Sequence, residues 1–176
     1  MSNASIVDGE GIRSVIWTQG CSHNCKGCHN PETHSFQKGH MASIEAIKKE
    51  IDLLEGQTGI TFSGGDPFFQ AESCSEIARY CQEKGLNVWC YTGFTYEKLL
   101  ELSIKNESIL NFLSQIDVLV DGKFIQEQKS YDAIFRGSKN QRIIDVKSSL
   151  RENKVCLVDK YDLNKSKIEK KQKIYI

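Results

Sequence analysis

Three cysteines fall within one short run, Cys21, Cys25 and Cys28, spaced C-x3-C-x2-C. Thiolates are soft donors that suit zinc or iron–sulfur centres. A structural zinc normally takes four protein ligands, and a cysteine-held iron–sulfur cube takes four thiolates; this run offers three. Three thiolates on a four-iron cube would leave one iron with an open position, which is what a metal centre needs to bind a substrate directly. His23, His29, His34 and His40 lie close by. Any of them would complete a Cys3His zinc site, so spacing alone leaves a non-catalytic zinc-binding module open. The other four of the seven cysteines, Cys74, Cys81, Cys90 and Cys156, are expected as packing residues, because free cysteine is among the most buried residue types. An odd cysteine count without a signal-peptide pattern argues against a disulfide framework and for a reducing, cytoplasmic compartment.

Two further segments carry polar groups beside glycines. In Ser63-Gly64-Gly65-Asp66-Pro67, the glycines let backbone approach a ligand that side chains would block. Asp66 offers a carboxylate, and its neighbours offer carbonyls. Asp121-Gly122-Lys123-Phe124 pairs opposite charges around a glycine. Either segment alone reads equally as a plain turn. Arg13 precedes the cysteine run and suits a ligand anchor or an interstrand bond. Arg136, Ser138, Asn140 and Arg142 fill a polar stretch that reads as a positioning loop or a hydrogen-bonded connection.

These residues must be held by elements that the pattern largely supplies. Residues 12–18 are β-branched and aromatic and read as a strand. A long polar loop, Gln19 to about His40, follows, and loops of this length in a compact domain are usually functional. Ser43 is the expected N-cap of a helix with Ile44, Ile47, Ile51 and Leu54 on one face and Gly56 past its end. Strand 59–62, helix 72–84, strand 86–91, helix 95–105, a helical stretch 109–114 and strand 116–120 come next. Residues 142–146 and 155–158 are the last strand candidates. Strands alternating with helices imply βαβ units and a parallel sheet. At 176 residues the chain is short of the ~250 typical of a closed eight-stranded barrel. The expected fold is α/β, an open partial (β/α) barrel of about five to six mainly parallel strands. Its ligands are expected at the carboxyl ends of the strands, where all three motifs begin.

Composition agrees with a globular chain, with 39% hydrophobic and 26% charged residues. Lys+Arg and Asp+Glu are both 23, for a formal net charge of zero, which speaks against nucleic acid as partner. No apolar run reaches the ~18 residues of a membrane span. One domain over 1–159 is expected, followed by a basic tail over 160–176 containing Lys165, Lys167, Lys170, Lys171 and Lys173. Only seven residues precede Asp8, which leaves the first edge of the sheet short.

The segment Gly20-Cys21-Ser22-His23-Asn24-Cys25-Lys26-Gly27-Cys28-His29-Asn30-Pro31 resembles the cluster loop of radical S-adenosylmethionine (SAM) enzymes. Asp8-Gly9-Glu10-Gly11-Ile12-Arg13 resembles the lead-in of glycyl-radical activases, and Ser63–Pro67 the second motif of the superfamily, with Asp66 where Glu is more common. Trp89–Phe94 and Asp121–Phe124 resemble later motifs. Phe135-Arg136-Gly137-Ser138-Lys139-Asn140-Gln141-Arg142 is the most discriminating, and the set from Asp8 to Val146 is similar to the activase branch that serves anaerobic ribonucleotide reductase. A formate-lyase-type activase is the nearest alternative within that superfamily.

The resemblance implies a [4Fe-4S] cluster on Cys21, Cys25 and Cys28, with SAM chelating the open iron. Reductive cleavage of SAM would yield a 5′-deoxyadenosyl radical that takes a hydrogen atom from a glycine of the reductase large subunit. A low-potential flavodoxin- or ferredoxin-like donor would supply the electron. By the same resemblance Gly27, Cys28 and His29 would meet the adenine. Gly64, Gly65 and Asp66 would receive the SAM ammonium. Lys123 would pair with the SAM carboxylate, and Asp121 would lie near it or a bound cation. Neither nucleic acid nor membrane is implied as a partner.

Overall fold

The computed structural model describes residues 1–162; the lysine-rich part of the expected tail lies outside them. Six strands form one sheet in chain order: β1 (Ser2–Ser5), β2 (Arg13–Thr18), β3 (Gly59–Gly64), β4 (Asn87–Tyr91), β5 (Val118–Asp121) and β6 (Arg142–Asp145). Strands β2 to β5 run parallel. Both edges are antiparallel, β1 against β2 with an irregular register and β6 against β5. The fold is therefore α/β with a mostly parallel sheet. The N-terminal edge is occupied, since β1 pairs with β2 despite the short lead-in.

The helices are α1 (Ile44–Asp52), α2 (Ala71–Glu83), α3 (Tyr96–Ser103), α4 (Glu107–Gln115) and α5 (Val146–Glu152). Ser43 caps α1 as expected, its side chain accepting from the Ala46 N–H. Thr95, Asn106 and Asp145 cap α3, α4 and α5 in the same way. Alternate strand residues face these helices. Ile16, Ile60, Phe62, Val88, Cys90, Leu119 and Ile144 join Ile77, Leu99 and Phe112 in the main core. Cys74, Cys81 and Cys90 are buried there, and burial pushes the Cys74 and Cys81 thiols up to about 12. Cys156 departs from expectation: it is half-buried beyond α5, with its backbone N–H donating to Ser149 Oγ.

The opposite face of the sheet carries a smaller apolar cluster of Trp89, Val120 and Ile143, with Tyr91, Phe135 and Tyr161 packed against it. Arg13 lies on this face, 1% exposed. Its guanidinium donates to Thr61 Oγ1, to the carbonyls of Ile60 and Asn87, and to Asn87 Oδ1 and the Glu10 carbonyl. It also stacks 5.4 Å from the Trp89 ring. The residue joins β2, β3 and β4 and is not a ligand anchor; burial lowers its pKa to about 10.

Two expectations at the end of the chain change. Strand β6 stops at Asp145, and Val146 opens a helix, because Asp145 Oδ1 accepts the Ser148 N–H and starts a new hydrogen-bonding pattern. Residues 155–158 form no named strand, only a bridge from Leu157 to Ile144. The link from β5 to β6 contains one short 3-10 turn and no α-helix. Without a helical crossover to return the chain to the opposite end, β6 enters antiparallel.

Candidate functional site

The loops after β2, β3, β4 and β5 meet at the carboxyl rim of the parallel strands and surround a cleft of about 400 Å³. Cys21, Cys25, Cys28, His29, Ser63, Gly64, Gly65, Tyr91, Gly93 and Gly122 all line it. Segments far apart in sequence are thus brought together by strand order alone, at the place where open parallel sheets bind ligands.

The cysteine loop is tied down at both ends. Gly20 and Cys21 N–H donate to the Thr33 and His34 carbonyls at 2.8 and 3.0 Å. The Gln19 amide donates to the Ser35 carbonyl at 2.7 Å. Cys28 N–H donates to the Cys25 carbonyl, and Asn30 N–H donates to Cys28 Sγ at 3.4 Å. All seven cysteines are free and the three in the loop are half-buried. Burial pushes the Cys21 thiol up, so a metal centre binding there must displace its proton. Among the described residues, no three Cys, His, Asp or Glu side chains are grouped as a single metal ion would need.

The β3 turn is built for close approach. Gly64 has φ +98°, and a Cβ there would stand 2.6 Å from the Thr18 carbonyl oxygen; one on Gly65 would stand 2.4 Å from that of Gly20. Only glycine fits, since side chains at these points would collide with backbone at the end of β2 and the start of the cysteine loop. Gly65 N–H donates to Thr18 and Asp66 N–H to Gly20, so the glycine turn and the cysteine loop are laced together.

Asp66 and Asp121 do not line the cleft. Each is 1% exposed. Asp66 Oδ2 accepts from His23 Nε2 at 2.7 Å, Thr92 Oγ1 at 2.8 Å and Gly93 N–H at 2.9 Å, and its Oδ1 accepts from Phe68 N–H at 3.0 Å. Asp121 accepts the Tyr96 N–H at 2.8 Å and is ion-paired with Arg142, which also bonds Glu97. That arginine drives the Glu97 carboxyl down to about 2. Gly27 and Lys123 are exposed beside the cleft.

The 135–142 stretch serves two purposes. Phe135, Arg136 and Gly137 line the cleft, while the residues after them brace the β5 turn. Gln141 Nε2 donates to the Gly122 carbonyl, Asn140 Nδ2 to that of Lys123, and Ser138 Oγ accepts from Ile125 N–H. Sequence reasoning passed over two features of the rim: His23 as a partner of Asp66, and Thr92–Gly93 as its other donors. The adjacency of the β3 and β4 ends makes these contacts, and no local pattern announces them.

The chain matches the 4Fe-4S single cluster domain family over residues 7–144. The chain is 38% identical to the anaerobic ribonucleoside-triphosphate reductase-activating protein of Vibrio cholerae over 148 residues, 78% of this chain and 90% of that one. It is 33% identical to the protein of the same name from Escherichia coli K12, over 77% of this chain and 90% of that one. A likeness at 29% extends to the protein of that name from phage T4, over 78% of this chain and 86% of the phage protein. The chain belongs to the anaerobic ribonucleoside-triphosphate reductase-activating protein family.

Proposed function

We propose that this chain is the radical SAM activase of an anaerobic ribonucleotide reductase, with a [4Fe-4S] cluster and SAM as its cofactors. The observation that carries this reading is the meeting of three half-buried thiols with a close-approach glycine turn in one cleft. Bound and reduced, the cluster would supply one electron to cleave a sulfonium C–S bond of SAM with release of methionine, and the 5′-deoxyadenosyl group would take a hydrogen atom from a glycine of the reductase and leave as 5′-deoxyadenosine.

Cys21, Cys25 and Cys28 hold the cluster. Their loop fits it, because its three half-buried thiols line one cleft, and Cys28 Sγ already accepts an N–H bond of the kind that tunes such centres. Gly64 and Gly65 present bare backbone to the SAM ammonium. Gly27, Cys28 and His29 meet its adenine through backbone. Lys123, exposed at the β5 turn, is the cation for its carboxylate. Trp17, Tyr91, Phe124 and Phe135 wall the cleft and limit water around a reactive centre.

We read the sheet as an open partial barrel and residues 1–159 as one domain acting in the cytoplasm. Its open side admits the glycine loop of the reductase large subunit, and a flavodoxin- or ferredoxin-like protein provides the electron. Among the described residues no helix is long and apolar enough to cross a membrane. The test is anaerobic reconstitution with iron and sulfide, reduction with dithionite, and addition of SAM and the reductase. A glycyl-radical signal on the reductase is expected; a colourless protein that holds one zinc and does not bind SAM would overturn the reading.

A further inference from the structure

We infer that Asp66 is not a ligand of SAM in this chain but a positioning residue, which locks the cluster loop through His23 to the ends of β3 and β4. A carboxylate has about four lone-pair sites and no donor. Asp66 already accepts from four protein donors, His23 Nε2, Thr92 Oγ1 and Gly93 N–H on Oδ2 and Phe68 N–H on Oδ1. With its carboxylate 1% exposed and outside the cleft lining, a SAM ammonium would reach it only by opening this buried network. The Ser63–Gly65 backbone lines the cleft beside it and takes that role.

His23 sits between the first two cysteines of the loop, and its side chain is 8% exposed. It packs edge-on to Phe94 with centroids 4.5 Å apart and against Phe69 at 5.9 Å. A Cβ on Gly93 would stand 2.3 Å from the His23 ring, so the loop after β4 leaves room for the imidazole only because that position is glycine. Thr92 Oγ1 donates to Asp66 and accepts the Phe94 N–H at 3.1 Å. Three rim loops therefore close on one buried carboxylate, with His23 as the arm that reaches the cysteines. Removing either partner leaves the other buried and short of a bond, a loss that falls on the cysteine loop.

This inference rests on the three cysteines being the cluster ligands, and its first arm does not use the cluster. In the cluster-free chain, amide hydrogen exchange at residues 20–29 is measured for H23A, H23Q, D66N and the H23A/D66N double variant. H23A and D66N are expected to speed exchange in the loop roughly tenfold, the double variant no more than either alone, and H23Q, which keeps an N–H donor, to return toward the parent. In the reconstituted protein the same variants are expected to lose the cluster to a chelator faster, with SAM affinity within a few-fold of the parent. Unchanged loop exchange in both single variants would overturn the inference. So would a D66N protein that loses SAM affinity tenfold or more while H23A retains it. A parent chain that takes up no iron and sulfide would instead overturn the proposed function and leave the exchange result to decide the His23–Asp66 lock.

Discussion

In the proposed reading Cys21, Cys25 and Cys28 would each hold one iron of the cluster, and the fourth corner would be left for SAM. Cys25→Ala is expected to abolish SAM cleavage and retention of an intact four-iron cluster while leaving the fold in place. Iron and sulfide analysis with 5′-deoxyadenosine measurement checks this, and a variant that still cleaves SAM would refute the ligand assignment. The glycines make an equally local case. At Gly64, φ is +98° and a Cβ would meet the Thr18 carbonyl oxygen at 2.6 Å. Gly64→Ala is expected to cost about 2 kcal/mol or more in denaturant unfolding and to weaken SAM binding, because the turn that presents the backbone must move. The residue types of the site were legible in the sequence: the C-x3-C-x2-C run and the double glycine announce themselves. The direction of Asp66 was not, since its partners His23, Thr92 and Gly93 become neighbours only when β3 lies between β2 and β4.

Strands and helices set where these residues meet, and most of them could be read from apolar period and caps. Ser43, Thr95 and Asn106 each bond an early helical N–H, and α1 to α4 fall within a few residues of their expected spans. The reading failed at Val146, where a β-branched residue continues a strand pattern but the Asp145 cap starts a helix. The direction of the edge strands was not legible, since it depends on connections and not on local pattern. Arg13 holds the parallel strands together through neutral oxygens on β3 and β4. Arg13→Met is expected to lower stability by about 3 kcal/mol, because buried carbonyls are left without donors. A shift of the urea midpoint checks it. The Glu97–Arg142–Asp121 bridge ties α3 to β5 and β6. Glu97 is depressed to about 2 from 4.5, so its contribution is present above pH 4.5 and is lost as pH falls toward 2. The pair is partly exposed, which limits the effect to roughly 0.5–1 kcal/mol. The stability gap between the parent and Glu97→Gln, followed by denaturant unfolding, is expected to close as pH drops through that window.

At the scale of the molecule, one face of the sheet is committed to helices and the other to a small aromatic cluster beside an open cleft. That division separates stability from chemistry: the helical side carries the buried core, and the rim loops carry the cysteines and glycines. Zero net charge suits a protein partner and a zwitterionic cofactor head better than a polyanion. The central claim is that a hydrogen atom passes from a reductase glycine to the 5′-deoxyadenosyl group held in this cleft. Reductase carrying α-deuterated glycine, mixed anaerobically with the reduced activase and SAM, allows mass analysis of the 5′-deoxyadenosine released. One deuterium in that product, appearing together with the glycyl radical, is the expected result. Unlabelled 5′-deoxyadenosine formed while the glycyl radical accumulates would contradict the account.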